Sequence, residues 1–161
     1  MLVRFTKGSV AAKNDALVCE RPDGTSSTAA MPKQGILPHD AFHFVVETTL
    51  GWTDAFFGQV AAGASLADTT ARFHPVKKSP APPPRLRQIE ALIACLEAEQ
   101  WGGASEPTAF IAKLATACRS SRTTPPPLTP AELTRVRLAL REFGAAWRPL
   151  NPGQSIERPF P

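Results

Sequence analysis

The sequence has few of the residue patterns that usually indicate a biochemical function. Its 161 residues include three cysteines, three histidines and no tyrosine. Cys19, Cys95 and Cys118 are far apart in the chain and form no CxxC pair, so the sequence indicates neither a disulfide framework nor a cysteine-rich zinc site. We expect these residues to be small buried side chains whose thiols stay reduced in the cytosol.

Long apolar segments and glycine-rich motifs are also missing. No apolar run approaches the roughly 20 residues that a helix needs to span a bilayer, and the first residues lack the apolar segment of a signal peptide. We therefore expect a cytoplasmic protein that does not associate with membranes. Gly51, Gly58 and Gly63 do not form a phosphate-binding loop, and no GxSxG motif is present.

The excess of positive charge is moderate, with a formal net charge of +4 and a pI of about 9.3. Arg137, Arg141 and Arg148 fall on a similar side of a predicted helix, where they could attract an anion or a nucleic acid. A solvated face opposite the apolar stripe of that helix is the simpler interpretation. Because motifs that read bases are missing, specific nucleic-acid binding is not expected.

Clustered prolines divide a chain whose length favours one domain. The patterns predict a single domain over residues 1–161, of the α+β class, with a small N-terminal antiparallel β-sheet packed against a mainly helical body of about five helices. The predicted regions are strands at 1–37, central helices at 38–73, a Pro-rich crossover at 74–84, helices at 85–148 and an extended tail at 149–161.

Local signals set some of the element boundaries. The segment Arg21–Gly24 (RPDG) is a strong turn signal and predicts a β-hairpin. Gly51 is placed to end a central helix, and Thr53 to cap the helix that follows it. Thr129 and Glu132 have the spacing of a capping box, which predicts a well-defined start for the last helix.

The strongest chemical signal is a group of polar residues in the central helix. His39, Asp40, His43 and Glu47 fall on one side of a helix whose neighbouring positions are apolar. Histidines four residues apart can reach a single ion, which is the spacing of zinc-binding helices. Glu47 is one turn further and is predicted as a third ligand or as the catalytic base. Asp40 is predicted as a ligand or as the acceptor that orients a histidine.

His74 is the third histidine of the chain, and it would be a further ligand if the short helices before it fold back. A purely structural interpretation competes with the metal site. In that interpretation Asp40 stabilises the start of the helix, His43 is a hydrogen-bonded core residue and Glu47 is solvated.

Two family resemblances involve this helix. The segment PHDAFHFVVETTLG…FFGQVAAG, after the PDGT turn, resembles a family of small uncharacterised bacterial proteins over about residues 2–74, which implies a bacterial protein but no activity. His39-Asp40-x-x-His43 is similar to the HDxxH zinc motif of a ubiquinone-biosynthesis family. That family carries a glutamate twelve residues after its second histidine, where this chain has Ala55. HD-type phosphohydrolases share the His-Asp doublet, but their other ligands are not recognisable here.

These observations give three hypotheses for function. The first is a divalent-metal protein, and potentially a metal-dependent hydrolase that uses the HDxxHxxxE helix, with zinc as the favoured ion, Glu47 as the catalytic residue and no organic cofactor. The alternative is a non-catalytic domain that binds a protein partner or a second copy of itself, in which this helix is purely structural. A basic nucleic-acid-binding module is the third and weakest.

Overall fold

A four-stranded antiparallel sheet forms one part of the molecule. In the computed structural model, which describes residues 1–73 and 82–161, the strands are β1 (Leu2–Thr6), β2 (Asn14–Glu20), β3 (Ser26–Pro32) and β4 (Ser155–Pro159). Their order across the sheet is β3-β2-β1-β4. The described residues also form six helices, so the predicted α+β fold class is confirmed.

The hairpin of β2 and β3 forms at the predicted turn. Arg21 donates its backbone amide to Thr25 O at 2.8 Å, and the two strands pair in a register that places Leu17 opposite Ala29. Because side chains alternate along a strand, one face of the sheet carries the buried residues. The apolar ones are Val3, Phe5, Leu17, Cys19, Met31 and Ile156, and Asp15 is buried on the same face.

Within the predicted extended tail, residues Ser155–Pro159 form a strand that completes the sheet. Strand β4 pairs with β1, with Ile156 opposite Phe5. The N-terminal ammonium of Met1 donates to Phe160 O at 3.0 Å, and Phe160 N donates to Met1 O at 2.7 Å. The sequence did not predict this pairing, because the sequence of a five-residue strand does not indicate which other strand it pairs with.

The helical part contains one helix more than the sequence predicted. The helices are α1 (His39–Leu50), α2 (Phe56–Ala61), α3 (Leu66–Phe73), α4 (Pro84–Gly102), α5 (Pro107–Ser120) and α6 (Pro130–Trp147). Gly51 ends α1 with a φ of 67°, a left-handed conformation that glycine adopts without steric cost. Both hydrogen bonds of the capping box between Thr129 and Glu132 are present at the start of α6.

Helix α1 lies at the centre of the core. All residues from 41 to 47 are buried, and the helix contacts α2, α4 and α6. Its Phe44 packs edge-on against Phe5 of the sheet, with ring centroids 5.6 Å apart. Complete burial of such a side chain stabilises the fold by about 2–3 kcal/mol. Buried apolar residues from the sheet and from the helices form one continuous cluster that runs from Val3 to Phe160.

The cysteines are all free thiols. Cys19 and Cys118 are buried, as expected, while Cys95 is half-buried. Burial raises the pKa of the Cys19 thiol to about 12, so this residue is a protonated core side chain at neutral pH.

The predicted Pro-rich crossover falls largely outside the described residues, which resume at residue 82. Its last residue, Pro84, is the first residue of α4, a position where a proline removes no helical hydrogen bond. Within residues 1–73 and 82–161, none of the helices combines the length and the apolar character that a membrane span requires.

Candidate metal centre

Helices α1 and α4 bring two imidazoles and a carboxylate together. His39 and His43 are one turn apart on α1, and their Nε2 atoms are 3.2 Å from each other. Glu90 of α4 places Oε1 3.0 Å from Nε2 of His43 and 3.7 Å from Nε2 of His39. The three potential ligand atoms therefore surround a single point, and they form a group of metal-ligand type.

The separations between these atoms match the coordination sphere of a small divalent ion. Zinc bonds of about 2.0–2.1 Å in a tetrahedral arrangement place neighbouring ligand atoms roughly 3.3 Å apart. The three observed separations, 3.0, 3.2 and 3.7 Å, lie on both sides of that value. An ion could be accommodated with adjustments of a few tenths of an ångström.

Each imidazole has a second carboxylate on its other ring nitrogen. Nδ1 of His39 is 2.8 Å from Oε1 of Glu97, and the Glu97 side chain is 23% exposed to solvent. Nδ1 of His43 is 3.6 Å from Oε1 of Glu47, which is close enough for charge attraction but longer than a hydrogen bond. A carboxylate at Nδ1 favours the tautomer that leaves the Nε2 lone pair available, which is the usual support of a metal-bound histidine.

Glu47 also stabilises the start of α2. Its Oε2 accepts a hydrogen bond from the backbone amide of Gly58 at 3.1 Å. Because the first amides of a helix lack partners within the helix, this buried carboxylate takes the role that the sequence gave to Thr53. The prediction for Thr53 is wrong, since α2 begins at Phe56 with Ala55 as its N-cap, and the N-cap residue itself makes no side-chain hydrogen bond to the helix.

The charges around His39 and Glu90 reinforce one another. Burial acts to lower the pKa of His39, but the carboxylates of Glu90 and Glu97 outweigh burial and raise this pKa to about 10. Burial acts to raise the pKa of Glu90, and the two histidines overcome it and hold the pKa well below its usual range. This environment favours positive charge at the imidazoles and negative charge at Glu90.

The inner side of the site is more deeply buried. His43 is 2% exposed and Glu47 is fully buried. Burial raises the pKa of Glu47, while its contact with His43 acts in the opposite direction. For His43, burial acts to lower the pKa, and the nearby carboxylates of Glu47 and Glu90 raise it. Burial likewise raises the pKa of Asp40, so a cation placed here would interact strongly with all of these groups.

A cavity of about 460 Å³ opens next to the cluster. His39, His43 and Glu90 form part of its wall, and about one third of the His39 and Glu90 side chains is exposed. The remaining wall is formed mainly by small and apolar residues from β3, the segment after it, and the neighbouring helices. These residues are Ala29, Ala30, Pro32, Gln34, Asp40, Phe56 and Thr70.

The structure brings together only part of the predicted set. His39 and His43 converge as predicted, whereas Glu47 lies on the opposite ring edge of His43 and Asp40 lines the cavity without joining the ligand group. His74 lies outside the described residues, so its predicted role stays a prediction. The structural alternative predicted a solvated Glu47, and this is wrong because the side chain is fully buried.

Glu90 and Glu97 are the site residues that the sequence did not identify. They are seven residues apart on α4, and about 100° of rotation per residue places them on nearly the same face. This spacing is a weak signal, because exposed glutamates recur on many helices. It becomes meaningful only when α4 is known to pack beside α1.

The predicted arginine patch is partly engaged inside the protein. Arg137 donates to both carboxylate oxygens of Glu99, at 2.6 and 2.9 Å, and to Ser105 O at 2.7 Å. Its guanidinium also lies 5.2 Å from the ring centroid of Phe110. Arg137 is therefore a packing residue between helices, which leaves Arg141 and Arg148 as the exposed members of the predicted patch.

Comparison with protein-family models, curated proteins and solved structures found no match to this chain. The resemblances drawn from the PHDxxH segment and from the HDxxH motif therefore stay predictions. Function is therefore inferred from the geometry of the site itself.

Proposed function

We propose that this chain binds one divalent metal ion, preferably zinc, through His39, His43 and Glu90. The observation that carries the proposal is the convergence of two imidazole nitrogens and one carboxylate oxygen on a single point between α1 and α4. Two nitrogens and one oxygen form a donor set that zinc accepts readily. Glu97 and Glu47 are the proposed orienting residues of the two imidazoles.

The chemistry of the nitrogens supports a bound cation. A neutral His39 that donates Nδ1–H to Glu97 presents a lone pair at Nε2. If His43 does the same towards Glu47, two lone pairs and a carboxylate oxygen face one another across 3.0–3.7 Å. These acceptors repel one another unless a proton or a metal ion lies between them. Protons on the imidazoles, which the raised pKa values of both histidines favour, relieve this repulsion when no ion is bound, and a metal ion would relieve it by contacting all three atoms.

Three protein ligands leave one coordination position for water, which is the pattern of catalytic zinc sites. An ion held by His39, His43 and Glu90 would supply hydroxide at neutral pH by lowering the pKa of its bound water to about 7. These three residues line the cavity of about 460 Å³, where a substrate would have access to them. Asp40 lines this cavity and is the proposed proton acceptor, because Glu47 is buried behind His43. The proposed reaction class is metal-assisted hydrolysis.

Metal analysis of the purified protein tests the binding step. The wild-type protein is stripped with a chelator, loaded with zinc and separated from free metal, and its zinc content is then measured. We expect one equivalent of zinc in the wild type and in Glu142→Gln, a control at an exposed glutamate of α6. We expect less than a tenth of an equivalent in His43→Ala and Glu90→Gln. A wild type that retains no zinc at neutral pH contradicts the proposal.

A spectroscopic experiment tests whether Glu90 is a metal ligand. Cobalt(II) loaded in place of zinc gives intense visible absorption bands in a four-coordinate site and weak bands in an octahedral one. We expect the four-coordinate spectrum in the wild type and its loss in Glu90→Gln. An octahedral spectrum that is identical in both proteins contradicts the assignment of Glu90.

The catalytic step is tested separately with Asp40→Asn. We expect this variant to retain its zinc while its zinc-dependent hydrolysis of an activated ester falls about a hundredfold, because general-base catalysis contributes about 10²–10⁴-fold. Unchanged hydrolysis in a zinc-loaded Asp40→Asn protein excludes Asp40 as the base without affecting the binding proposal.

A further inference from the structure

A second cavity lies on the other side of the β3–α1 connection. Its volume is about 450 Å³, and none of the proposed metal ligands lines it. Four separate stretches of the chain form its wall: the β1–β2 connection, the start of β2, the segment between β3 and α1, and the residues that end and follow α6. Its lining includes Lys7, Val10, Asp15, Lys33, Trp147 and Arg148.

Positive charge dominates the polar part of this wall. Three cationic residues, Lys7, Lys33 and Arg148, line the cavity together with one acidic residue, Asp15. Asp15 is 6% exposed and already accepts a hydrogen bond from Gly8 N at 2.9 Å, with Lys33 Nζ 3.8 Å away. One buried carboxylate cannot neutralise three cations, so the wall carries a net positive charge.

The cations are held in fixed positions with donor capacity left over. Nζ of Lys7 donates to the backbone oxygens of Trp147 and Arg148, each at 3.0 Å. Nζ of Lys33 donates to Gly8 O at 3.3 Å and to Ser9 O at 2.6 Å. An ammonium group has three N–H bonds, so each lysine has one N–H bond beyond these two hydrogen bonds, and that of Lys33 is also attracted to Asp15 at 3.8 Å.

Arg148 differs from the two lysines. Its guanidinium lies over Gly144, where a β-carbon would be 3.4 Å from Nη2. Among the described residues, no hydrogen bond or ion pair engages this guanidinium. A planar guanidinium with its donors available is well suited to a carboxylate or a phosphate.

The rest of the wall is apolar and extends to the rim. Leu37 and Trp147 are buried at 2% and 4% exposure, and Ile36 and Leu150 are half-buried beside them. Val10 is 91% exposed and lines the same cavity. Its side chain is therefore accessible for a further apolar contact with a ligand.

We propose that this cavity binds a small amphipathic anion. Its carboxylate or phosphate head would pair with Arg148 and the two lysines, and its apolar body would lie against Trp147 and Val10. The volume falls within the range of about 300–1,000 Å³ that is usual for small-molecule sites. The combination of an apolar wall with a few fixed polar groups is also typical of such sites.

Ligands that share one apolar body test the proposal. The full-length protein is titrated with naphthaleneacetate, with the uncharged naphthaleneacetamide and with naphthyl phosphate, and binding is measured by calorimetry. We expect at least one of the two anions to bind about tenfold more tightly than the amide, because a charge-assisted hydrogen bond is about twice as strong as a neutral one. The ratio of the two anions identifies the preferred head group.

Matched variants locate the binding. Arg148→Gln removes the available cation and Arg135→Gln removes an exposed one elsewhere on α6; Val10→Ser and Leu138→Ser form the corresponding apolar pair. We expect a loss of about threefold or more in Arg148→Gln and in Val10→Ser, and no change in the two controls. His43→Ala removes a proposed metal ligand and should leave this binding unchanged, which keeps the two proposals separable. Equal affinity for the anions and the amide, or equal losses in variants and controls, overturns the proposal.

Discussion

Helix α4 carries two acidic clusters, which differ in whether an arginine or lysine side chain pairs with the carboxylates. Glu99 faces α6, where Arg137 pairs with both of its oxygens and Ser105 donates its amide and its hydroxyl to Oε1, each at 2.9 Å. Glu90 and Glu97 face the imidazoles of α1. Among the described residues, no lysine or arginine forms an ion pair with either of them.

The difference shows what each cluster needs. The Glu99 cluster contains its own permanent cation and satisfies its polar atoms within the protein, so it has the features of a structural link between helices. The Glu90 cluster has two imidazoles, whose charge depends on protonation, next to three carboxylates. Its neutralising cation must come from solvent, either as protons or as a metal ion.

The largest expected effect is the response of zinc affinity to the two carboxylates of α4. Glu90→Gln should lower zinc affinity by about a hundredfold or more because it removes a proposed ligand. Glu99→Gln should leave zinc affinity unchanged, since Arg137 and Ser105 already engage that carboxylate. Zinc affinity is measured by competition with a chromophoric chelator. Equal losses in both variants would mean that the two clusters do not differ as described.

The next effect concerns the free energy of unfolding, which should respond to changes in the Glu99 cluster. Arg137→Met leaves Glu99 without its cation, and the side chains are only 13% and 11% exposed. We expect a loss of about 3 kcal/mol in the free energy of unfolding, measured with urea, because breaking one partner of a buried pair leaves an uncompensated charge. The exposed Arg135→Met serves as the control and should change stability by less than about 0.5 kcal/mol.

A double variant tests whether loss of the ion pair between Arg137 and Glu99 causes this loss of stability. Replacing both partners, in Arg137→Met with Glu99→Leu, should recover part of the lost stability, since no unpaired charge then remains. A double variant less stable than Arg137→Met alone would assign the effect to packing of the guanidinium on Phe110 instead of to the ion pair.

A smaller effect is expected from the orienting carboxylate of His39. Glu97→Gln retains the shape of the side chain and weakens the interaction at Nδ1. We expect zinc affinity to fall about tenfold, at the lower end of the range known for such outer residues, because Glu97 is partly exposed. Glu142→Gln is the matched control. A loss as large as that of Glu90→Gln would indicate that Glu97 itself coordinates the ion.

The smallest expected effect is a pH dependence of stability at the Glu99 cluster. Burial acts to raise the pKa of Glu99, but the hydrogen bonds from Arg137 and Ser105 outweigh it and lower this pKa. A lowered folded-state pKa contributes stability above the unfolded value of about 4.3, and this stability is lost as the pH falls through the folded-state pKa. Urea unfolding between neutral and acidic pH should show this loss in the wild type and a smaller one in Glu99→Gln.

Much of the local structure followed from the sequence. The turn at Arg21–Gly24, the end of α1 at Gly51 and the capping box at Thr129 were all predicted, because each depends on residues within a few positions of one another. The cap of α2 was not, since its acceptor is Glu47, eleven residues before Gly58. The partner of β4 was missed for the same reason, as β1 lies at the other end of the chain.

The candidate site likewise has one part that depends on neighbouring residues in the sequence and one part that depends on distant ones. The sequence by itself determined that His39 and His43 share one face of a helix, because any α-helix places residues four apart one above the other. Only the tertiary structure decided which carboxylates meet them, since Glu90 and Glu97 are 47 and 58 residues away from their histidine partners. Burial of the whole apolar core sets the packing of α4 beside α1, and helical periodicity carries no information about that choice.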